Sequence, residues 1–220
     1  MSVSPIKQRL RITFGKYDTL KYTGNLDIAK IWERVLRRAH LPVLYSKGFN
    51  TRPRIALALA LPLGITSDCE MLDVMLKEIL SEDDFPAIIE QLQAVSPAGL
   101  KIYSITTAHP LEEAMENRVH SARYEITFPD GIDNTTLQQK LETLLAQEKI
   151  IKVTFNRKRR KSVQDIRPLI HELHVNEAQD GIDALLSVGK YGNMRPDKLL
   201  EELGLDDEYY SVHRKRLLYT

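Results

Sequence analysis

The sequence predicts an α+β protein built from two tandem ferredoxin-like halves, in which helices cover antiparallel sheets. Two observations lead to this prediction. Segments with the two-residue period of strands alternate with segments of helical period in the order β-α-β-β-α-β, which is the split βαβ pattern. The later part of the chain then repeats most of that order. We therefore divide the 220 residues into a first half at 1–109, a linker at 110–121 and a second half at 122–220.

The first half has a distinct signal for each of its elements. Arg9–Phe14 alternates polar and apolar side chains, as a strand with one buried face does. Residues 26–39 carry apolar side chains at helical spacing and predict an amphipathic helix. The two periodicities point Leu10, Trp32 and Val35 into one core. The other predicted elements are strands at 55–61, 71–76 and 100–106 and a helix that starts near Asp83.

The second half repeats this order with additional strands. A turn at Gln179–Gly181 separates two of the strands, and the last helix has a proline at its start and Gly204 just past its end. The predicted strands are at 123–128, 150–155, 167–175, 182–188 and 212–219, and the predicted helices are at 134–147 and 196–203.

Composition excludes several classes of protein. Cys69 is the single cysteine, which excludes an internal disulfide and fits a reducing compartment. A cysteine-ligated cluster or a zinc knuckle needs several thiolates and is excluded within this chain. We interpret Cys69 as a small core residue rather than a nucleophile, because no histidine or other base lies beside it in the sequence. No apolar run approaches the ~20 residues that cross a bilayer, and no leader opens the sequence. We therefore predict a cytoplasmic protein with no membrane, cofactor or metal requirement.

The net charge is only +1, but the charges are segregated along the chain. Acids cluster at 68–84 and 201–208, whereas bases cluster at 30–38, 47–54, 157–161 and 213–216. A nearly neutral protein with such segregation can present one strongly basic face.

Two neighbouring segments of the first half are the leading candidates for binding RNA. Lys30, Arg34 and Arg37 recur near one solvent face of the helix 26–39. The next loop mixes aromatic and basic side chains around a glycine, namely Tyr45, Lys47, Phe49, Arg52 and Arg54. Aromatic rings stack on unpaired bases while cations follow the phosphates. The alternatives are a solvated helix face that pairs with Glu33 and a Phe49 side chain packed in the core.

A third candidate is a basic run in the second half. It consists of Arg157, Lys158, Arg159, Arg160 and Lys161. Because the run follows a predicted strand, we expect it at a hairpin tip or a sheet edge, where it either contacts phosphates or protects the edge. We predict that it joins the two first-half segments in one continuous basic groove.

Other polar residues have simpler interpretations. His171 and His174 are three positions apart, so on a regular strand they face opposite sides, which disfavours a metal pair. Asp27, Glu70 and Asp73 would form a carboxylate site only if they converged. An aspartate in the first turn of a helix more often complements the helix dipole.

Seven stretches of the chain carry a family resemblance, namely Leu26-Asp27, 32–39, 41–50, 60–64, 70–73, 165–170 and 194–196. They are similar to the radical SAM-linked family of bacterial proteins, which occur as free chains or fused behind a radical SAM enzyme domain. The resemblance implies association with radical SAM chemistry supplied by another protein, and a connection to RNA or ribosome metabolism.

The chain departs from this family's pattern at two positions. The family usually has Ser-His before the Leu-Asp pair, where this chain has Gly24 and Asn25. It usually has Pro-His-Pro in the following loop, where this chain has Thr51, Arg52 and Pro53. If those histidines are ligands or acid–base groups in relatives, this chain lacks both, which favours binding over catalysis.

We therefore predict a non-catalytic module that binds RNA and acts with a separate radical SAM enzyme or in RNA processing. Two alternatives stay open. One is a protein adaptor that docks a radical SAM partner through the apolar rim near 41–45. The other is a metal-independent ribonuclease that resembles the CRISPR repeat-RNA endonucleases, which also pair two ferredoxin-like folds.

Overall fold

The computed structural model describes residues 6–155 and 161–220. The chain divides into two compact units, Met1–Val119 and His120–Thr220, called unit 1 and unit 2 below. The described part is a mixed α+β structure with mostly antiparallel strands. This confirms the α+β class that the sequence predicts.

Unit 1 contains the β-α-β-β-α-β order followed by one short helix. Its strands are β1 (Gln8–Lys16), β2 (Ile55–Leu57), β3 (Thr66–Leu76) and β4 (Leu100–Ala108), and its helices are α1 (Asn25–Arg38), α2 (Phe85–Ala94) and α3 (Met115–Arg118).

The sheet of unit 1 has the strand order β4-β1-β3-β2, with antiparallel pairing throughout. Even-numbered residues of β1 and β3 face the helices, since Leu10 pairs with Val74 and both belong to the core. Trp32 and Val35 of α1 lie in that same core. The prediction that Leu10, Trp32 and Val35 pack together is therefore confirmed.

Helix α1 begins and ends where local chemistry favours it. The Asp27 carboxylate accepts a hydrogen bond from the Gly24 N–H at 3.3 Å, which satisfies a donor at the helix start. At the other end His40 has a positive φ of 51°, and the chain leaves the helix before Pro42.

Two strand boundaries in unit 1 differ from the prediction. β2 covers Ile55–Leu57 rather than 55–61, because the chain bends at residues 58 and 59. β3 begins at Thr66 rather than at 71. Its first five residues include charged side chains, which hide the strand pattern from a periodicity argument.

Unit 2 contains six strands and two helices among the residues described. Its strands are β5 (Val119–Thr127, which starts at the last residue of unit 1), β6 (Ile151–Phe155), β7 (Lys161–Asp165), β8 (Ile170–Val175), β9 (Gly181–Ser187) and β10 (Ser211–Tyr219), and its helices are α4 (Asn134–Leu145) and α5 (Pro196–Leu203).

The main sheet of unit 2 has the order β10-β5-β9-β8, and β6 and β7 form a separate antiparallel pair. Strand β7 is absent from the prediction, since Lys161–Asp165 is short and mostly polar. Asp133 caps α4 by accepting hydrogen bonds from two backbone N–H groups of its first turn. In the part of the chain that is described, no helix combines the length and apolar character needed to span a membrane.

Candidate functional site

A pocket opens in unit 1 at the N-terminal end of α1. It is a small depression that opens to solvent and has room for about one water molecule. Two charged side chains and one amide share it with five apolar side chains. The lining residues are Phe14, Lys16, Asn25, Ile28, Leu57, Leu59, Leu61 and Glu70.

Lys16 and Glu70 are the charged residues of this pocket, and both are buried. Lys16 is 2% exposed, and its ammonium donates a hydrogen bond to the Thr23 carbonyl oxygen at 2.7 Å. Glu70 is 4% exposed and pairs in register with Phe14. Removing charges from water costs several kcal/mol unless they gain polar partners, and both Lys16 and Glu70 have such interactions within the protein.

A basic surface lies along the outer side of α1. Lys30, Arg34 and Arg37 are all exposed, as the sequence predicts. Arg37 also pairs with Glu33 at 3.4 Å, at the i,i+4 spacing of the alternative interpretation. An exposed pair of this kind contributes a few tenths of a kcal/mol, so it does not prevent Arg37 from meeting a phosphate.

The loop that follows α1 is closed at its base and carries the second group of candidates. The Ser46 N–H donates to the Arg52 carbonyl oxygen at 2.8 Å, and the Arg52 N–H donates to Ser46 Oγ at 2.9 Å. Tyr45 and Pro53 form an isolated bridge below this pair. The loop is therefore a defined hairpin-like element whose tip residues face outward.

Phe49 at the tip of this loop is fully exposed, at 105% of its reference area. The alternative that this side chain packs in the core is wrong, because Gly48, with φ of +125°, turns the tip away from the protein. Tyr45, Lys47, Arg52 and Arg54 are exposed as well. The loop thus presents two exposed rings, Phe49 and Tyr45, among cations.

The basic run of the second half is described only in part. Lys161 is exposed and pairs with Phe155 across β6 and β7. Arg157, Lys158, Arg159 and Arg160 lie outside the described residues. The single basic groove from both halves stays a prediction.

The three carboxylates do not form one site. Asp27 is exposed and serves the start of α1. Glu70 and Asp73 lie on opposite faces of β3, because an odd separation along a strand alternates the side chains. Glu70 accordingly lines the pocket and Asp73 does not.

Asp73 instead belongs to a buried ion-pair network on the other face of the unit 1 sheet. Its carboxylate accepts hydrogen bonds from Arg9 Nε at 3.0 Å and from Arg11 Nε at 2.8 Å. Arg9 also donates to the Glu112 carbonyl oxygen at 2.7 Å, and the Glu112 carboxylate contacts Arg118 and Arg11. These contacts attach the segment that we predicted as a linker to the sheet.

His171 and His174 contact the same face of β9, so the prediction that they face opposite sides is wrong. The pairing of β8 shifts between Ile170 and Glu172, which is the effect of a β-bulge at His171. His171 Nε2 lies 2.8 Å from Ser187 Oγ, and His174 Nε2 lies 3.8 Å from Asp183. Among the residues described, no group of three or more His, Cys, Asp or Glu could hold a metal ion.

Two further residues have defined surroundings. Cys69 is half-buried rather than a core residue, with its Sγ 3.5 Å from Ser67 Oγ. Tyr17 contacts Asp68 and Tyr103 through its hydroxyl group. Burial, followed by the hydrogen bond to Asp68, raises the pKa of Tyr17 well above its ordinary value. Tyr17 is therefore a neutral hydrogen-bond donor near pH 7.

Comparison with known proteins gives a family. The model of a family described as an uncharacterized protein conserved in bacteria (DUF2344) matches residues 9–196. The chain belongs to this family. No curated protein matches it.

Two solved structures resemble the DUF2344 chain weakly. The Cbf5-Nop10-Gar1 complex gives a TM-score of 0.46 at 12% identity, over 99% of this chain and 51% of that chain. A structure described as a glycine cleavage system transcriptional repressor gives a TM-score of 0.23 at 14% identity, over 97% and 98% of the two chains. The DUF2344 chain thus spans about half the length of the first. Both TM-scores are too low to indicate a shared fold or function.

Sequence reasoning missed Lys16 and the pocket. One signal for Lys16 was present, because it lies two residues after Phe14, although the register of β1 with β3 shifts between these two residues. Asn25 was noticed only as a departure from the histidine of the radical SAM-linked pattern. That position lines the pocket.

Proposed function

We propose that this DUF2344 chain is a non-catalytic RNA-binding module that holds single-stranded RNA on the outer side of α1 and on the 45–54 loop. The observation that carries this proposal is the complete exposure of Phe49. Burying a phenylalanine side chain is worth about 1.5–3 kcal/mol, so a defined loop that keeps one in solvent forgoes that stabilisation. A stacking surface for an unpaired base is a use that accounts for it.

The charges around Phe49 favour a polyanion as its partner. Residues 25–54 contain seven Lys or Arg and two acids, a net charge of +5 in a chain whose total is +1. Lys30, Arg34, Arg52 and Arg54 are exposed on the same stretch of chain. An apolar protein partner would gain little from this charge, whereas RNA releases counterions from each phosphate that a cation neutralises.

We further propose that both units are variants of the ferredoxin-like fold. In unit 1, β1 and β2 each pair antiparallel with β3, so the two are parallel to each other with β3 between them. That is the split βαβ arrangement. In unit 2, β5 and β8 stand in the same relation to β9, and β6 with β7 is an insertion between α4 and β8.

The cellular setting of the module is also a proposal. We propose that it acts in the cytoplasm beside a separate radical SAM enzyme or in RNA processing. The single cysteine supports a reducing compartment. The resemblance of residues 20–75 to the radical SAM-linked family supports that partner.

The test is fluorescence anisotropy of a labelled 12-nucleotide oligouridine with the full chain at several KCl concentrations. We expect the affinity to fall with a log–log slope of about −0.7 for each phosphate neutralised. Replacing Arg52 and Arg54 together by glutamate should weaken binding and make the slope shallower by about 1.4. Phe49→Ala should weaken binding by about 1–3 kcal/mol and leave the slope unchanged.

Matched control variants distinguish binding at this surface from nonspecific electrostatic and hydrophobic binding elsewhere on the protein. Tyr209→Ala removes an exposed aromatic ring of unit 2, and Lys149→Glu reverses an exposed cation there. Both should bind as the unchanged protein does. Absence of salt-dependent binding would refute the RNA proposal, and a salt-resistant complex with a radical SAM chain would favour the adaptor.

A ribonuclease is the second candidate, and one cluster in unit 2 favours it. Ser121 and Ser187 are register partners on β5 and β9. Each hydroxyl contacts an imidazole, at 2.9 Å for His120 Nδ1 and 2.8 Å for His171 Nε2. Imidazoles are the usual acid–base groups near neutral pH. Cleavage of RNA in EDTA that His171→Ala abolishes and His174→Ala preserves would support the enzyme over the binding module.

A further inference from the structure

We infer that Phe49 recognises the junction at which a base-paired RNA stem passes into a single strand. One face of its ring stacks on the last base pair of the stem, and the other face stacks on the first unpaired base. This inference rests on the proposed RNA-binding function and names the element of RNA that the chain recognises. It is carried by the exposure of Phe49, at 105% of its reference area, on a loop whose base is closed by hydrogen bonds.

The exposure of Phe49 leaves both faces of its ring open to a ligand. A ring that lies on a sheet or against another side chain offers one face, because the protein covers the other. Tyr45, at the base of the same loop, is 39% exposed and offers only part of its surface. The exposed area of Phe49 exceeds that of the reference residue, so no other part of the described protein covers either face. Phe49 is therefore able to contact two flat groups at once.

The loop fixes the place of this ring and holds it away from the rest of unit 1. The Arg54 N–H donates to the Leu44 carbonyl oxygen at 2.8 Å, and the bonds between Ser46 and Arg52 follow above it. Gly48, with φ of +125°, then turns the tip outward. A ring presented in this way enters a stack of bases edge first, without meeting protein on either side.

The end of a stem is the place in an RNA where a ring with two open faces gains most. Inserting a side chain inside a stem costs free energy, because two stacked base pairs must first be separated. The last base pair of a stem already exposes one face, and the first unpaired base is free to move. Both faces of Phe49 are then covered without opening a stack. Stacking on an aromatic ring tolerates every base, so this contact recognises the position of the junction and not its sequence.

The outer side of α1 offers cations to the unpaired strand but no ring to its bases. Lys30, Arg34 and Arg37 are exposed along a helix of 14 residues, which spans about 21 Å. The one aromatic residue of α1 is Trp32, and it is buried. Proteins that follow a single strand through its bases stack successive bases on successive rings. On this chain the cations contact the phosphates of the strand, and Phe49 marks where that strand begins.

The experiment measures binding of labelled RNA duplexes with a single-stranded tail to the full chain by fluorescence anisotropy. One set carries a tail of about six uridines at the 3′ end of a 12-base-pair duplex, and a second set carries it at the 5′ end. Each set contains the intact tail and tails with an abasic nucleotide at the first or at the fifth unpaired position, so the number of phosphates is equal. In at least one set we expect the first-position abasic RNA to bind about 5- to 150-fold more weakly than the intact RNA, which is the range for one base–aromatic contact. The fifth-position abasic RNA should bind within about twofold of the intact RNA.

Variants of Phe49 show whether this effect of position comes from the ring, and its full exposure leaves the core undisturbed. Phe49→Leu keeps an apolar side chain without a flat ring, so it should bind the three RNAs of each set within about twofold of one another. Phe49→Trp should keep the effect, and the intact RNA should quench its added fluorescence more than the first-position abasic RNA does. The unchanged protein, whose single tryptophan is the buried Trp32, is the fluorescence blank, and Tyr209→Ala is the control for an exposed ring elsewhere. An effect of position that persists in Phe49→Leu would overturn the inference.

The remaining outcomes distinguish the junction from the RNA surface as a whole. Salt-dependent binding that is equal for all three RNAs in both sets would overturn the junction and leave RNA binding in place. Binding of a blunt duplex as tight as that of the tailed duplexes would also overturn the junction, because a blunt duplex has no unpaired base for the second face of the ring. If neither the tailed duplexes nor oligouridine binds, the RNA proposal fails and the junction fails with it.

Discussion

The most direct test of the unit 1 core is a pair of substitutions at Trp32. Its side chain is 0% exposed and meets Phe14 edge-to-face, with ring centroids 5.0 Å apart and an interplanar angle of 71°. Removing a buried tryptophan costs about 3–5 kcal/mol. The Nε1–H group, however, finds no hydrogen-bond partner in the described part of the protein, and leaving such a donor unpaired costs about 1–3 kcal/mol.

These magnitudes predict different results for alanine and phenylalanine. Trp32→Ala loses the packing but also removes the unpaired N–H, so its cost should lie near the low end, at about 3 kcal/mol. Trp32→Phe keeps much of the contact with Phe14 and removes the same N–H, so it should cost less than about 1.5 kcal/mol.

Urea unfolding followed by circular dichroism measures both costs. Fluorescence is unsuitable because Trp32 is the single tryptophan of the chain. A loss of stability below about 1 kcal/mol for Trp32→Ala would refute the packing of α1 on the sheet, because replacing a fully buried aromatic residue by alanine costs about 3–5 kcal/mol. A cost for Trp32→Phe well above about 1.5 kcal/mol would refute the unpaired N–H, because the loss of a hydrogen-bonded donor would add to the small loss of packing.

Three further predictions concern other parts of the fold. Asp73→Asn should lower the free energy of unfolding in urea by about 3–5 kcal/mol, because Arg9 and Arg11 lose their carboxylate partner. The double variant Arg9→Met with Asp73→Leu should recover much of that lost stability. A cost below about 1 kcal/mol for Asp73→Asn would contradict this network. Gly181→Ala should cost about 1–3 kcal/mol because its Cβ would overlap a carbonyl oxygen of β5, and an unchanged urea midpoint would argue against that approach. At the start of α4, hydrogen bonds from a threonine hydroxyl and two backbone N–H groups lower the pKa of Asp133. Because the folded pKa lies below the unfolded one, this stabilisation exists above the unfolded pKa and disappears as pH falls through the folded pKa. The stability difference between the unchanged protein and Asp133→Ala should therefore shrink in acid, and a difference that grows in acid would contradict the cap.

Much of the fold follows from local sequence signals. Helix α5 covers Pro196–Leu203, as predicted, because a proline at its first position and Gly204 in the left-handed conformation mark both ends. α1 differs from its prediction by one residue at each end. These elements depend on spacing and caps within a few residues, which a single sequence contains.

The errors arise where tertiary contacts override the local pattern. In β8, Ile170 and Glu172 pair with adjacent residues of β9, so His171 between them is an extra residue that forms a bulge. Alternation counted along one strand cannot detect it, because a bulge is defined by the partner strand. The same reasoning explains Phe49, whose apolar character suggested burial while the loop geometry around Gly48 exposes it.

The missed pocket has one cause, which is the use of charge to end a strand. We ended the first predicted strand at Phe14 and began the third at Met71. Lys16 and Glu70 therefore lay just outside the predicted strands. In the structure β1 and β3 continue through both residues, and both side chains are buried. A charged residue at the core-facing position of a strand end is costly unless it has a polar role. Such a residue should therefore be read as a candidate site, and in this chain two of them line the same cavity.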